Sequence, residues 1–356
     1  MKYYVKERFD RPERMNTAGT KARSDVEEIA SRMGHVPYEI VLAKEPDASD
    51  SLRVKWQQHL DVYKQWKSFE KQLCAGDKVL FQMPLMNSSI FLKGVLKKMR
   101  KKGVVTAAVI HDLEMLRLYR RKSTQGQALK SYIKTAMEEK QVLAQCNKVI
   151  VHNAEMKSFL AGEGIDDENL IELGIFDYLT EEKGMNDRKK EKTVCIAGNL
   201  SPEKSKYIYA IEDSRVTYRL YGPGFSEADE DRLCYMGCLP SKELPGKLDA
   251  AFGLVWDGPD IGTCSGAYGE YLRYNNPHKT SLYLAAGMPV IIWEKAALAS
   301  FIADNRVGIT VASLEEISEK IDALSEEEYE DMLRNAEEIS EKIREGFYFT
   351  KALEQI

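Results

Sequence analysis

The sequence predicts a two-domain α/β protein in which each domain is built on a parallel β-sheet. The chain has 356 residues, which is long for one average domain. Strand-like and helix-like hydrophobic patterns alternate along it, as they do where crossover helices join parallel strands. The run Val104–Ile110 is largely apolar, which is typical of a strand buried on both faces of a parallel sheet.

The first half of the chain contains five predicted strands and five predicted helices. The strands are Lys2–Val5, Tyr38–Leu42, Asp77–Met83, Val104–Ile110 and Lys148–Val151. The helices are Lys21–Arg32, Arg53–Cys74, Asn87–Lys102, Gln125–Gln145 and Asn153–Leu160. Aromatic and aliphatic residues from Trp56 to Phe69 recur at helical spacing, so we expect that helix face to pack in the core.

The same alternation restarts after residues 181–192, a polar and highly charged segment that we interpret as a linker. The predicted strands are Thr193–Ala197, Thr217–Tyr221, Ala251–Trp256, Val290–Trp293 and Gly308–Val311. The predicted helices are Leu244–Leu248, Lys279–Ala286, Ala296–Asp304, Leu314–Leu324 and Glu326–Arg344, and a long glycine-rich loop is expected over Asp257–Asn276. The expected domains are therefore 1–180 and 193–325, and the helices of 326–356 could pack back on the first domain.

Composition places the chain among soluble globular proteins, with 44% hydrophobic and 30% charged residues. Its apolar runs are too short to span a membrane, and its charged N-terminus lacks the apolar core of a signal peptide. Six cysteines, without the density of a disulfide framework, suit reduced thiols in the cytoplasm. Cys234 and Cys238 have no second pair nearby, so we expect no zinc site.

The net charge of −5 conceals a basic stretch, Lys93–Lys134, with twelve Lys or Arg residues and two acids. Such a stretch could contact an anionic membrane surface or a phosphate-bearing substrate. It could equally be a solvated face that balances the acidic segment Glu315–Glu345. Nucleic acid is not an expected partner, because no binding motif accompanies the charge.

Small and polar residues follow the predicted strands of the second half. Asn199 and Lys204 follow one strand, Gly222 follows the next, and Lys279 opens a helix beside Pro277. Ligands of open α/β sheets bind beyond the carboxyl ends of the strands, and helix N-termini attract anions. The pattern favours a nucleotide diphosphate site, although an ordinary loop, helix and strand would also explain the Lys279 segment. No GxGxxG follows the first strand and no P-loop motif occurs, which disfavours nicotinamide enzymes and P-loop NTPases.

Several motifs resemble a family of GT-B glycosyltransferases, the bacterial β-1,6-galactofuranosyltransferases and adhesin glucosyltransferases of glucosyltransferase 3-like type. The matching segments are Asn16–Ala22 with Asp25, Val109–Leu113, Ala197–Leu200, Tyr221–Pro223, Phe252–Gly258, Gly269–Leu272 and Tyr274–Lys279. The resemblance implies two Rossmann-like domains with parallel sheets facing a central cleft, the acceptor in the first domain and a UDP-sugar in the second. The form GEYLRYNNPHK is closer to the galactofuranosyl branch.

The resemblance also implies roles for individual residues. Lys279 and Lys204 would bind the donor diphosphate, and Tyr221 would lie near the uracil or ribose. The remaining implied donor-site residues are Asn199, Gly222, Pro277, His278 and Ser281, and the first domain would add Asn16, Thr17, Gly19 and Lys21.

The resemblance further implies a reaction that inverts the anomeric configuration, which needs one general base. His111 or Asp112, at the end of a buried strand, is the expected base, although Asp112 could also cap the helix that follows. Glu270 is a further carboxylate with no assigned role. No DxD motif lies in a suitable loop, so we expect no metal and no other cofactor.

The expected activity is transfer of a hexose, with a galactofuranose-type donor favoured, to a sugar hydroxyl in surface polysaccharide or glycoconjugate biosynthesis, such as capsule or exopolysaccharide. A lipid-linked acceptor would give Lys93–Lys134 a role at the inner face of the membrane. The alternatives are a glucosyltransferase that extends GlcNAc on a glycoprotein, a UDP-sugar epimerase, and a non-catalytic nucleotide-sugar-binding partner. The resemblance implies a homo-oligomer.

Overall fold

The structure, a computed structural model, describes residues 1–9, 18–42, 51–86, 91–119, 136–185, 187–226 and 232–356. The chain divides into two compact units. Unit 1 comprises Met1–Met15, Arg23–Leu173 and Phe349–Ile356, and unit 2 comprises Asn16–Ala22 and Gly174–Tyr348. The domain bounds expected from the sequence stay predictions.

Unit 1 is built on a six-stranded parallel sheet of order β2-β1-β3-β4-β5-β6. Its strands are β1 (Lys2–Phe9), β2 (Val36–Leu42), β3 (Lys78–Met83), β4 (Val105–Ile110), β5 (Lys148–Val151) and β6 (Leu170–Glu172). Only the first residue of β4 is not fully buried, because neighbouring strands flank it and helices cover the faces of such a sheet. The parallel sheet predicted for the first half is confirmed.

Within the described ranges, six helices connect these strands. They are α1 (Ala18–Arg32), α2 (Leu52–Gln72), α3 (Leu92–Lys101), α4 (Glu114–Tyr119), α5 (residues 136–143) and α6 (Ala154–Gly162). In α3 the apolar residues Leu92, Val95, Leu96 and Met99 are buried, while the lysines between them are exposed. This spacing is that of a helix with one face on a core.

The prediction that the whole Trp56–Phe69 face packs in the core is only partly right. Trp66 and Phe69 are buried, but Trp56 is 52% exposed and Leu60 is 37% exposed. With 21 residues, α2 is about 30 Å long, whereas the six residues of β3 span about 20 Å. Because α2 is longer than the strand, the side chains of its first turns have no sheet beneath them.

Unit 2 repeats the architecture with a six-stranded parallel sheet of order β12-β11-β10-β7-β8-β9. Its strands are β7 (Thr193–Ala197), β8 (Thr217–Tyr221), β9 (Leu233–Gly237), β10 (Phe252–Val255), β11 (Val290–Trp293) and β12 (Gly308–Val311). Its helices are α7 (Gly266–Tyr271), α8 (His278–Ala285), α9 (Ala299–Asp304), α10 (Ile317–Ala323) and α11 (Glu326–Glu345), and α12 (Phe347–Leu353) ends the chain. The second predicted parallel sheet is therefore confirmed.

The structure corrects several elements. The expected loop Asp257–Asn276 contains the helix α7, and Leu244–Lys247 is a 3-10 helix. The strands β6 and β9 were not predicted, because an edge strand with three residues or with one buried residue carries little hydrophobic pattern. Of the predicted helix Asn87–Lys102, residues 87–90 lie outside the described part, and the helix begins at Leu92. Of Gln125–Gln145, residues 125–135 also lie outside it.

Candidate functional site

Two glycines at the carboxyl edge of the unit 2 sheet bring neighbouring loops into close contact. Gly198 follows β7 with φ +134°, and Gly222 follows β8 with φ +138°. A Cβ atom added to Gly222 would clash with the carbonyl oxygen of Gly198. The Gly198 amide donates a hydrogen bond to the Tyr221 carbonyl (2.9 Å). Only a residue without a side chain fits at Gly222, so the loops after β7 and β8 pack main chain against main chain.

Lys279 lies against this glycine pair. Its Nζ is 2.9 Å from Asp257 Oδ1 and 3.2 Å from the carbonyl oxygen of Trp256. A Cβ atom added to Gly198 would lie 3.3 Å from the Lys279 Cε. The Lys279 and Asp257 side chains are only 17% and 15% exposed. The Lys279 ammonium group is thus largely buried and is held beside the main chain of Gly198.

The same lysine is the second residue of α8. Pro277 is the N-cap residue, and no side chain among the described residues caps this helix end. Thr280 closes the first turn, its amide donating to the Pro277 carbonyl (3.0 Å). The hydroxyls of Thr280 and Ser281 are buried, and neither has a hydrogen-bond partner within the described residues. The helix dipole, the free amide groups and the Lys279 ammonium are groups that bind phosphate, and the Asp257 carboxylate offsets part of their positive charge.

His278 is fixed by stacking on Phe176, with ring centroids 4.7 Å apart and an interplanar angle of 28°. Nearby, Asn276 Nδ2 donates to the carbonyl oxygen of Gly174 (2.9 Å). These contacts hold the loop that leads into α8.

The remaining residues predicted to bind the donor have local partners. The ring of Tyr221 is buried, and its hydroxyl donates to the Lys247 carbonyl (3.2 Å) and accepts from the Asp249 amide (3.1 Å). Asn199 Oδ1 accepts from the Ser201 amide (2.9 Å). Lys204 Nζ lies 5.8 Å from the centroid of Tyr268 in α7. The structure thus brings Lys279 to the glycine pair and places Lys204 beside a helix that was predicted as loop.

Lys21 is buried, with only 4% of its surface exposed. Its Nζ donates to the Leu179 carbonyl (2.7 Å) and lies 4.5 Å from the Tyr178 ring centroid. Gly19 lies in α1, while Asn16 and Thr17 lie outside the described residues.

The two candidate bases follow β4 of unit 1. His111 Nε2 lies 2.7 Å from Gln82 Oε1. Asp112 Oδ2 lies 3.5 Å from an Arg117 nitrogen, and the Asp112 side chain is 44% exposed. In unit 2, Glu270 pairs with Arg273 (3.1 Å). His111 is thus held by a neutral amide and Asp112 by a cation.

Two buried titratable groups near this strand end were missed by the sequence interpretation. Burial raises the pKa of Glu139 to about 7, although its carboxyl accepts from the amides of Glu114 (3.1 Å) and Met115 (2.7 Å). Burial lowers the pKa of His152 to about 4, and its Nε2 lies 3.0 Å from the Ile110 carbonyl. His152 follows β5 as His111 follows β4, so the strand-end argument could have found it. Glu139 lies within a helix and carries no comparable signal.

Among the described residues, no group of three or more His, Cys, Asp or Glu side chains could hold a metal ion. All six cysteines fall in the described ranges and are free thiols. No helix of the described part is both long and apolar enough to cross a membrane.

The sequence matches two family descriptions over most of its length. "Glucosyltransferase 3-like, N-terminal domain" covers residues 2–175, and "Glucosyltransferase 3-like, C-terminal domain" covers residues 194–356. The chain is 41% identical over 223 residues to the β-1,6-galactofuranosyltransferase WbbI of Escherichia coli K12, a match that spans 60% of this chain and 64% of WbbI. It is 26% identical over 281 residues to glucosyltransferase 3 of Streptococcus gordonii, which covers 78% of each chain.

Solved structures with little sequence identity share the fold. A sucrose-phosphate synthase from Thermosynechococcus elongatus aligns over 99% of this chain and 97% of its own, with a TM-score of 0.61 and 13% identity. The apo form of the lipopolysaccharide outer core galactosyltransferase WaaB aligns over 100% and 99%, with a TM-score of 0.58 and 10% identity. The predicted GT-B fold is confirmed, and the chain belongs to the glucosyltransferase 3-like family of glycosyltransferases.

Proposed function

We propose that the chain transfers a hexose from a UDP-sugar to a sugar hydroxyl with inversion of the anomeric configuration. The observation that carries the proposal is the position of Lys279, at the uncapped start of α8 and against the Gly198–Gly222 approach. Similarity to WbbI, a galactofuranosyltransferase by name, favours a galactofuranose-type donor. The glucosyltransferase 3 relatives support glucose as the alternative donor sugar. For that alternative we propose GlcNAc on a glycoprotein as the acceptor.

In this reaction unit 2 stabilises the leaving group. Negative charge grows on the diphosphate as the glycosidic bond breaks, and prearranged positive groups lower the barrier. Lys279 and the amides at the start of α8 supply those groups, and Lys204 adds a second cation. Since these charges are part of the protein, we propose that transfer needs no metal ion.

Unit 1 provides the general base, at His111 or Asp112. One base removes the proton of the acceptor hydroxyl as its oxygen attacks the anomeric carbon. Both residues stand at the carboxyl end of β4, where ligands of parallel α/β sheets bind.

A donor screen tests the proposal through release of UDP from UDP-galactofuranose, UDP-galactose, UDP-glucose and UDP-GlcNAc, with and without sugar acceptors. We expect release only when an acceptor is present, with UDP-galactofuranose the best donor and EDTA without effect. Lys279→Ala should lower kcat/KM for the donor about 100-fold, the usual cost of losing one charge-stabilising group. Lys295→Ala is the matched control, because Lys295 is 55% exposed and its nearest carboxylate is that of Glu294 (3.7 Å).

The alternatives give different results in the same screen. Conversion of one UDP-sugar into another without an acceptor would indicate an epimerase. Binding of UDP that Lys279→Ala abolishes, without turnover of any donor, would indicate a non-catalytic nucleotide-sugar-binding partner.

We further propose that the acceptor is lipid-linked and that the enzyme works in the cytoplasm, at the inner face of the membrane, in capsule, exopolysaccharide or other surface polysaccharide assembly. Helix α3 supports this, because the basic residues of its polar face are exposed: Lys93, Lys97, Lys98, Arg100 and Lys101. Residues 120–135 of the basic stretch Lys93–Lys134 lie outside the described part. Failure to co-sediment with anionic vesicles at low salt would contradict the lipid-linked version. The homo-oligomer stays a prediction.

A further inference from the structure

We infer that Tyr283 is a positioning residue of the donor site, whose hydroxyl holds the end of β7 so that Gly198 and the Lys279 ammonium stay correctly placed for a diphosphate. Its importance for UDP binding rests on the proposed function. The contacts that support the inference all lie within unit 2.

The strands β7 and β10 form the central pair of the unit 2 sheet. From β7 the chain continues through β8 and β9 on one side, whereas β10, β11 and β12 fill the other side. Ligands of open α/β sheets bind in the crevice at such a switch point, beyond the carboxyl ends of the strands. The carboxyl ends of β7 and β10 therefore border the place where a nucleotide would bind.

The pairing of β7 with β10 stops before β7 ends. The last pair joins Gly253 to Cys195, although β7 continues to Ala197. Successive amides of a strand point to opposite sides, and the Gly198 amide points to β8, where it donates to the Tyr221 carbonyl. The Ala197 amide therefore points towards β10, beyond the last residue of β10 that pairs with β7. A buried amide in this position needs a different acceptor.

The hydroxyl of Tyr283, on α8, is that acceptor. It accepts a hydrogen bond from the Ala197 amide at 2.8 Å, and the tyrosine is fully buried. The same hydroxyl forms a hydrogen bond with the Cys195 thiol. The tyrosine ring lies directly on Gly253, because a Cβ atom added to this glycine would clash with the ring. A side-chain oxygen thus takes the place of a backbone carbonyl of β10.

Lys279 and Tyr283 lie one turn apart on the same side of α8. The hydroxyl of Tyr283 holds Ala197, and Lys279 lies against the next residue, with its Cε 3.3 Å from a Cβ atom added to Gly198. Lys279 Nζ also lies 3.2 Å from the carbonyl oxygen of Trp256, just after β10. The two side chains therefore contact neighbouring positions of the same two strands, and the bond to Ala197 fixes Gly198 relative to the lysine.

The contribution of Tyr283 is positional, because its side chain brings no charge to the site. Burial raises the pKa of Tyr283 well above its ordinary value, so the hydroxyl stays neutral. A diphosphate at the start of α8 would be stabilised by the Lys279 ammonium and by main-chain amides. Such stabilisation depends on distances that are fixed before the ligand binds.

Tyr283→Phe removes the hydroxyl and keeps the ring on Gly253. We expect the affinity for UDP, measured by titration calorimetry, to fall about tenfold, because Lys279 is displaced but not lost. Tyr329→Phe is the matched control, since the buried Tyr329 hydroxyl donates to the Ala251 carbonyl (2.9 Å), before the amino end of β10. It should lose a similar amount of stability in denaturant unfolding and keep the wild-type affinity for UDP.

A double variant separates positioning from general destabilisation. Because Tyr283 acts through Lys279, Tyr283→Phe should change the affinity for UDP by less than about twofold in the Lys279→Ala background. An equal loss in both backgrounds would overturn the inference. So would a loss of the same size in Tyr329→Phe, or an unchanged affinity when Tyr283→Phe is the only substitution.

Hydrogen exchange of the Ala197 amide reports the contact itself. The amide should exchange faster in Tyr283→Phe than in the wild type or in Tyr329→Phe, and an unchanged rate in Tyr283→Phe would contradict the inference. A wild type that binds UDP with the expected pattern but turns over no donor would refute the proposed transfer and leave the role of Tyr283 standing. A wild type that does not bind UDP would overturn the inference.

Discussion

The carboxyl edges of the two parallel sheets differ in the kind of groups they gather. In unit 2 the edge combines glycines at close backbone approaches, a helix start and the Lys279–Asp257 ion pair. In unit 1 it gathers groups that can exchange protons, namely His111, Glu139 and His152, all held by hydrogen bonds. One edge gathers fixed charge and the other gathers titratable groups, and the proposed reaction would use the first at the leaving group and the second at the acceptor hydroxyl.

The largest expected effect is at the glycine pair. Gly222→Ala would force a Cβ atom against the Gly198 carbonyl at a φ of +138°, so we expect destabilisation by about 3 kcal/mol and loss of measurable UDP binding. Denaturant unfolding and UDP titration would measure both.

Gly237→Ala is the matched control for that experiment. Gly237 accepts from the Gly222 amide (2.9 Å) and has a φ of +93°, but an added Cβ there meets no atom within 4 Å. Gly237→Ala should be destabilised only by the strain of a side chain at positive φ, and it should still bind UDP. Equal effects of both substitutions would mean that the close approach contributes nothing to the site.

The pH dependence of folding stability tests whether Glu139 of unit 1 has a raised pKa. Its pKa in the folded protein is about 7, raised from about 4.5 mainly by burial, so folding favours the protonated form. Protonated Glu139 therefore makes its full contribution to the free energy of unfolding below pH 4.5. This contribution is lost as the pH rises through 7 and the buried carboxyl ionises.

Glu139→Gln removes this titration while keeping an acceptor for the α4 amides. The free energy of unfolding of the wild type should fall relative to that of Glu139→Gln by up to about 3 kcal/mol between pH 4.5 and 7.5. Denaturant unfolding at several pH values would measure the difference. A difference that does not change with pH would show that Glu139 has an ordinary pKa.

The smallest effect is expected at Lys204. This side chain lies 5.8 Å from the Tyr268 ring and is half-buried, so water screens much of its charge. Lys204→Ala should weaken UDP binding by about fivefold, far less than Lys279→Ala, as measured by titration calorimetry. Lys206→Ala, an exposed lysine two residues away, is the control. If Lys204→Ala weakened UDP binding as much as Lys279→Ala, the two lysines would contribute equally to the diphosphate site.

Local sequence was enough to predict several of the positions at which an element begins or ends. Strand ends at Ala197, Tyr221 and Ile110 were predicted, and they agree with the structure. The start of α8 was predicted at Lys279. The helix begins one residue earlier, at His278, directly after the N-cap residue Pro277. Such features depend on hydrophobic period and on backbone restrictions within a few residues.

The hydrophobic period and the local backbone restrictions could not predict which side chains contact one another. Gln82 and Glu27 are 55 residues apart in sequence, and Gln82 and His111 are 29 apart. They meet because β1 and β4 both flank β3 and α1 packs nearby, which is a property of strand order. For the same reason the sequence did not predict that Glu139 caps α4, which lies 24 residues earlier in the chain.

The sequence by itself determined that the chain has two parallel α/β units, and its motifs indicated a nucleotide-sugar site that contains Lys279. Only the tertiary structure decided which titratable groups are buried and which atom each one faces. The physical reason is that element boundaries follow from local periodicity, whereas hydrogen-bond partners and pKa values follow from the burial and neighbours that packing creates.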